Sequence, residues 1–220
     1  MARGEGAVAG LRSPRSGPAR PQCPPGRAAH VGRRPAAALD ALDGQAAHVV
    51  GHSLGGALGL ELARQRPAQV QSLLVSGTVG PLSPAQARLM AWASRLPLPP
   101  GPALTLALRQ FRIPARDRAW VREALAGTLV PSWQADLVRV LVSLSPPAPT
   151  GTPTLVLVGA LETRSARSGA ARLARTLGAP AFGVPGAGHV WNLEAPELFA
   201  RTVSAWVQRD PLPPELKRLG

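Results

Sequence analysis

The sequence predicts a single α/β domain on a mostly parallel sheet, and three observations point there. First, residues 46–50 (AAHVV) read as a short buried strand that runs through Gly51-His52-Ser53-Leu54-Gly55 into a helix-like stretch at 54–65 (LGGALGLELARQ). Second, the apolar runs at 70–76 (VQSLLVS) and 154–158 (TLVLV), the latter bounded by Pro153 and Gly159, have the near-continuous hydrophobicity of strands covered on both faces. Third, 220 residues with 45% hydrophobic content suit one soluble domain with a real core.

The remaining elements follow in chain order. The Gly-x-Ser-x-Gly box places Ser53 on a sharp turn between strand and helix. A glycine two residues before the serine and another two after it are expected because the turn leaves no room for a Cβ at either position. After the 70–76 strand comes a helical block at 81–150. Its first helix has Ser83 as N-cap, Pro84 at the first helical position and Gln86 to complete a capping box, with Leu89, Ala93 and Leu96 on one face, and it stops at 97–102. Further helices are expected at 103–111, around 116–126, and from Ser132 through Leu137, Leu141 and Leu144. A weaker strand is expected at 181–184. The final helix, 196–208, carries Phe199, Val203, Trp206 and Val207 on one side.

Possible partners of the serine stand in a telling order. Glu162 is the carboxylate closest to the carboxyl end of the 154–158 strand, and the loop Pro185-Gly186-Ala187-Gly188 ends at His189. No Asp or Glu follows the 70–76 strand as an alternative acid. With these residues the chain resembles the α/β-hydrolase fold superfamily over residues 37–207, through the segments GHSLGG, PTLVLVG and GHVWNLEAPELF. The resemblance implies Ser53 as nucleophile, His189 as general base and acid, and Glu162 as the carboxylate that orients His189. It implies the backbone N–H of Leu54 as one oxyanion donor, and a helical lid at 81–150. Trp92, Trp120 and Trp133 would either line an apolar pocket under that lid or fill the lid's own small core. Trp191, Asn192 and Glu194 are read as anchoring the last loop.

In one respect the chain departs from the superfamily. Nothing in residues 1–36 resembles the usual upstream strands or the loop that supplies a second oxyanion donor, so an N-terminally truncated fold is expected. Its hydrolase domain would span 37–209, followed by a C-terminal tail at 210–220. The 46–50 strand would then be an open edge prone to self-association. The implied activity is a serine hydrolase of carboxylic esters or similar acyl compounds, of the esterase class (EC 3.1). It is weakened if half the oxyanion hole is missing. Haloperoxidase-like, lactonase, thioesterase and aminopeptidase chemistries share the same triad, and a silent, hydrolase-like binding module is the reading from another class.

Composition narrows the partners. Of 25 basic residues only Lys217 is lysine, and with Pro 25, Gly 23 and no tyrosine this has the look of GC-rich coding. The formal charge of +13 invites nucleic acid or an acidic surface, but Arg3, Arg12, Arg15, Arg20, Arg27, Arg33 and Arg34 stand against Glu5 alone in a proline-broken segment expected to be disordered. No specific nucleic-acid binding is expected, and the partner is a small acyl substrate. Residues 51–56 have the glycine spacing of a phosphate loop, yet Ala57-Leu58 stands where Lys-Ser/Thr is needed. Four scattered histidines and one cysteine, Cys23, offer no metal spacing, and His48 and His52 read as neighbours of the turn; no cofactor or metal is expected. Without a signal-like h-region, a long apolar run or a disulfide pair, the default expectation is a cytoplasmic protein with no membrane span.

Overall fold

The computed structural model describes residues 39–40, 45–78, 100–126 and 140–219, with isolated positions at 85, 88, 89 and 92. The expected extension at 1–36, most of the first lid helix, Trp133 and the start of the fourth lid helix lie outside the described residues. In chain order the elements are β1 (Ala47–His52), α1 (Leu54–Gln65), β2 (Val70–Ser76), α2 (Pro100–Gln110), α3 (Arg118–Ala126), β3 (Thr154–Gly159), α4 (Arg164–Leu177), β4 (Ala181–Val184), α5 (Trp191–Glu194), α6 (Pro196–Gln208) and β5 (Lys217–Arg218). Strands β1 to β4 pair in that order, all parallel, and β5 closes the far side antiparallel to β4. Among the described residues β1 has β2 as its one neighbour, and Val50 on it is 41% exposed.

The continuous apolar runs are explained by a sheet covered on both faces. Leu73, Val75, Val156 and Val158 point to one side, where they meet Leu62 and Ala63 of α1 and Ala170, Leu173 and Ala174 of α4. Leu74, Leu155, Leu157 and Val184 point to the other, against Trp191 and the α6 residues Leu198, Phe199, Val203 and Trp206. Neighbouring residues of one strand therefore feed opposite cores, and every one of these strand positions is apolar. Helix α4 is well delimited: the Thr163 hydroxyl accepts the Ala166 N–H at 3.1 Å, and Gly178 ends the helix in the left-handed region at φ 63°.

Three expectations are corrected. Residues 210–219 are not a tail, because Leu216 is buried, Leu212 packs on the α6 side of the sheet, and β5 pairs with β4 through Phe182–Arg218 and Gly183–Lys217. A two-residue strand has no periodicity to announce it. The helix expected from 103 begins at Pro100, since prolines fit a first helical turn, where the missing N–H has no partner to lose. Within the lid, Trp92 and Trp120 are both more than half exposed, and the Trp120 indole N–H donates to Asp117 Oδ1 at 3.2 Å. Among the described lid residues the buried cluster is instead Leu104, Leu108, Ile113 and Val121. No helix among the described residues is long and apolar enough to cross a membrane.

Candidate active site

Because β1 to β4 are parallel, their carboxyl ends share one edge of the sheet, and the turns that leave them converge there. Ser53 follows β1, Gly77 and Thr78 follow β2, Glu162 follows β3, and His189 stands at the end of the loop after β4. Pairing of His52 with Ser76, Ser76 with Leu157, and Gly159 with Val184 brings the four ends level.

Ser53 occupies a strained position, with φ 54° and ψ −118°, in the region that side-chain-bearing residues rarely adopt. Several contacts hold it. Its N–H donates to Ser76 O at 2.7 Å, and its carbonyl accepts from Gly56 N at 3.1 Å and from the Thr78 hydroxyl at 3.0 Å. The turn is closed by two glycines, though not the pair expected. A Cβ on Gly51 would collide with the Gly55 carbonyl, and one on Gly56 with Thr78 Oγ1, whereas nothing among the described residues lies within 4 Å of one on Gly55. The second crowded glycine is Gly56, because Thr78, from the next strand end, fills the space above it.

Glu162 and His189 meet directly. His189 Nδ1 lies 2.9 Å from Glu162 Oε2, with the carboxylate side chain 8% exposed and the ring 20%. An ionised carboxylate can only accept, so Nδ1 carries the hydrogen and Nε2 of the neutral ring is free to take a proton. The other carboxylate oxygen, Oε1, accepts the Gly159 N–H at 3.2 Å, which fixes the acid on its strand end. Gly159 also allows the His189 loop to approach, for a Cβ there would strike the Gly188 carbonyl. No hydrogen bond joins Ser53 Oγ to His189 in this structure.

Two neighbours of this group were not singled out as functional from sequence. Gly77, at φ 60°, gives the histidines room: a Cβ would lie 3.0 Å from His189 Nδ1 and Cε1 and 3.2 Å from His52 Cε1. Thr78 braces the serine's carbonyl. A glycine just past an apolar strand was the only available signal for the first, and nothing local marks the second. His52 is partly buried, with its ring centroid 4.9 Å from that of His189, and both ring nitrogens are shut from solvent with no hydrogen-bond partner among the described residues. Burial above all, then the adjacent His189, lowers its pKa from 6.5 to about 4, against an opposing pull from Glu162. It is therefore neutral at neutral pH. His48 is apart from the site and bonds Ser72 Oγ at 2.8 Å. Among the described residues no group of His, Cys, Asp and Glu is arranged to hold a metal.

A sequence model of the alpha/beta hydrolase family matches residues 3–202. The chain belongs to the α/β hydrolase family. The match to that family begins within the segment for which the sequence suggested no strand. Two curated relatives are similar over shorter stretches. A protein of Pseudomonas syringae pv. syringae (strain B728a) named for carbamate hydrolysis is 40% identical over 80 residues, 36% of this chain and 31% of that protein. A 2-hydroxymuconate semialdehyde hydrolase of Pseudomonas putida is 38% identical over 89 residues, 40% of this chain and 30% of its own length. These matches thus span about a third of the curated relatives. Among α/β hydrolases of known structure, a hydrolase from Pseudomonas aeruginosa PA01 superposes with a TM-score of 0.67 at 26% identity, covering 84% of this chain and 74% of that one. The enol-lactonase from Burkholderia xenovorans LB400 gives a TM-score of 0.67 at 20% identity, over 82% and 73% of the two chains, a likeness of fold.

Proposed function

We propose that this α/β hydrolase is a serine hydrolase of carboxylic esters or similar small acyl compounds, working without a cofactor. The observation that carries the reading is the Glu162–His189 pair, held at the same sheet edge as a serine in a strained turn. In the proposed cycle Ser53 Oγ attacks the acyl carbon while His189 Nε2 takes the hydroxyl proton, and the carbonyl oxygen becomes an oxyanion. Glu162 stabilises the imidazolium and keeps the proton off the wrong nitrogen. The tetrahedral intermediate collapses with cleavage of the ester C–O bond, and the alkoxide leaves with the proton from His189. Water, deprotonated by His189, then attacks the acyl carbon, the acyl–Oγ bond breaks to release the acid, and His189 returns its proton to Ser53 Oγ.

The backbone N–H of Leu54, first in α1, is the proposed oxyanion donor, favoured by the helix N-terminus. A second donor from an upstream loop would lie outside the described residues. Without it, turnover is expected to be lower by on the order of 10²- to 10³-fold.

A fluorophosphonate probe tests the reading directly. The wild-type protein is expected to be labelled at Ser53, with labelling and turnover of p-nitrophenyl acetate lost in Ser53→Ala and His189→Ala, by on the order of 10⁴- to 10⁶-fold. Glu162→Gln should retain an intermediate rate. Labelling that persists in Ser53→Ala sinks the nucleophile assignment, and a wild-type protein that never labels favours a silent, hydrolase-like binding module.

A further inference from the structure

Glu194 divides its carboxylate between the loop that carries His189 and the lid. Its Oε1 accepts the N–H of Gly188, the residue just before His189, at 2.9 Å. Its Oε2 faces Arg112 Nε at 3.6 Å, and the Glu194 side chain is only 14% exposed. Arg112 belongs to the turn that ends α2, where it adopts φ 54°. Its stem lies over Gly188, since a Cβ there would come within 2.8 Å of Arg112 Cδ and 3.1 Å of Glu194 Oε1. The residue before it, Phe111, places its ring centroid 5.2 Å from that of His189. Nearby contacts reinforce the same join: Arg116 donates to Leu193 O at 2.6 Å, and Val190 and Leu193 pack on the apolar core formed by Leu104, Leu108, Ile113 and Val121.

We propose that Glu194 is a positioning residue that registers the His189 loop against the lid through Gly188 and Arg112, so that lid placement and the orientation of the histidine are coupled. The proposal rests on the serine-hydrolase reading for its catalytic consequence, but the latch itself is a property of the fold. The carboxylate accepts the N–H beside the proposed base, and the guanidinium pairs with the other oxygen of that carboxylate. If the lid moves, Arg112 draws on Glu194, the Gly188 bond lengthens, and His189 swings with its loop. A misplacement of about 1 Å at a reacting group can slow a reaction by about 100-fold, so even a modest shift matters.

The full chain is assayed as wild type, Glu194→Ala, Glu194→Gln, Arg112→Ala and the Arg112→Ala/Glu194→Ala double variant, with thermal melting to confirm that each is folded. Two readouts are taken: the rate of fluorophosphonate labelling, and amide hydrogen exchange over residues 100–126 and 185–195. Glu194→Ala is expected to slow labelling by about 10- to 100-fold. Glu194→Gln should recover most of the rate, because the amide oxygen still accepts from Gly188. Arg112→Ala should hasten exchange in the 185–195 segment although it lies on the lid, and should add nothing once Glu194 is alanine. Wild-type labelling in a folded Glu194→Ala protein, a glutamine variant no better than alanine, or unchanged exchange at 185–195 in Arg112→Ala would overturn the latch. If the wild-type protein does not label at all, the serine-hydrolase reading fails, and the exchange measurements still decide the latch.

Discussion

His52 is expected to make this fold acid-labile. Its ring nitrogens are shut from solvent beside His189 with no hydrogen-bond partner among the described residues, and this holds its pKa at about 4 in the folded protein against 6.5 when free. The lowered value means that the unfolded chain binds a proton more readily than the folded one between those limits. The contribution is therefore fully present above pH 6.5 and declines as pH falls toward 4. Linkage with these two values gives a loss of about 2 kcal/mol between about pH 7.5 and about pH 5, rising to about 3 kcal/mol once both states are protonated. Replacing the ring by leucine removes the titrating group without breaking a hydrogen bond, because none is made. Urea unfolding of wild type and His52→Leu at the two pH values isolates the effect from every group the two proteins share. The variant should lose about 2 kcal/mol less on acidification. An equal loss in the two proteins would show that His52 is solvated or paired, and the description of its burial would be wrong.

Two further outcomes test the packing around the site. Gly56→Ala should destabilise by about 1 to 3 kcal/mol, because its methyl group would collide with Thr78 Oγ1. Gly55→Ala, in open space on the same helix, should be neutral or stabilising by about 0.5 to 1 kcal/mol, so thermal melting that ranked them the other way would refute the geometry of the turn. Trp191→Phe removes the indole donor that lies 2.5 Å from Ser76 Oγ, with both residues fully buried, and should cost about 1 to 3 kcal/mol in chemical denaturation. In a Ser76→Ala background the same substitution should cost clearly less; equal costs would mean that the bond carries no energy.

The sheet and the order of the candidate residues were legible in the chain because both are encoded locally. Strands β2 and β4 fall where the apolar runs at 70–76 and 181–184 put them, and α1 and α6 match their expected bounds, since periodicity and breaker residues act over a few positions. The Gly-x-Ser-x-Gly spacing likewise located the strained serine, as a turn's steric demands concern only its nearest residues. What the tertiary structure decided lies across strand ends. Gly56 rather than Gly55 is crowded because Thr78, which is 22 positions later, is brought alongside by the parallel register of β1 and β2. His52 meets His189 only through the folding of a distant loop onto its strand end, and Glu194 becomes a latch only when Arg112, from a separate helix pair, reaches it. No short-range pattern records such meetings, because each depends on the level at which strands stack and on which loops then share an edge. The pairing of β5 with β4 has the same origin: two charged residues carry no strand signal of their own and join the sheet because an edge is available to receive them.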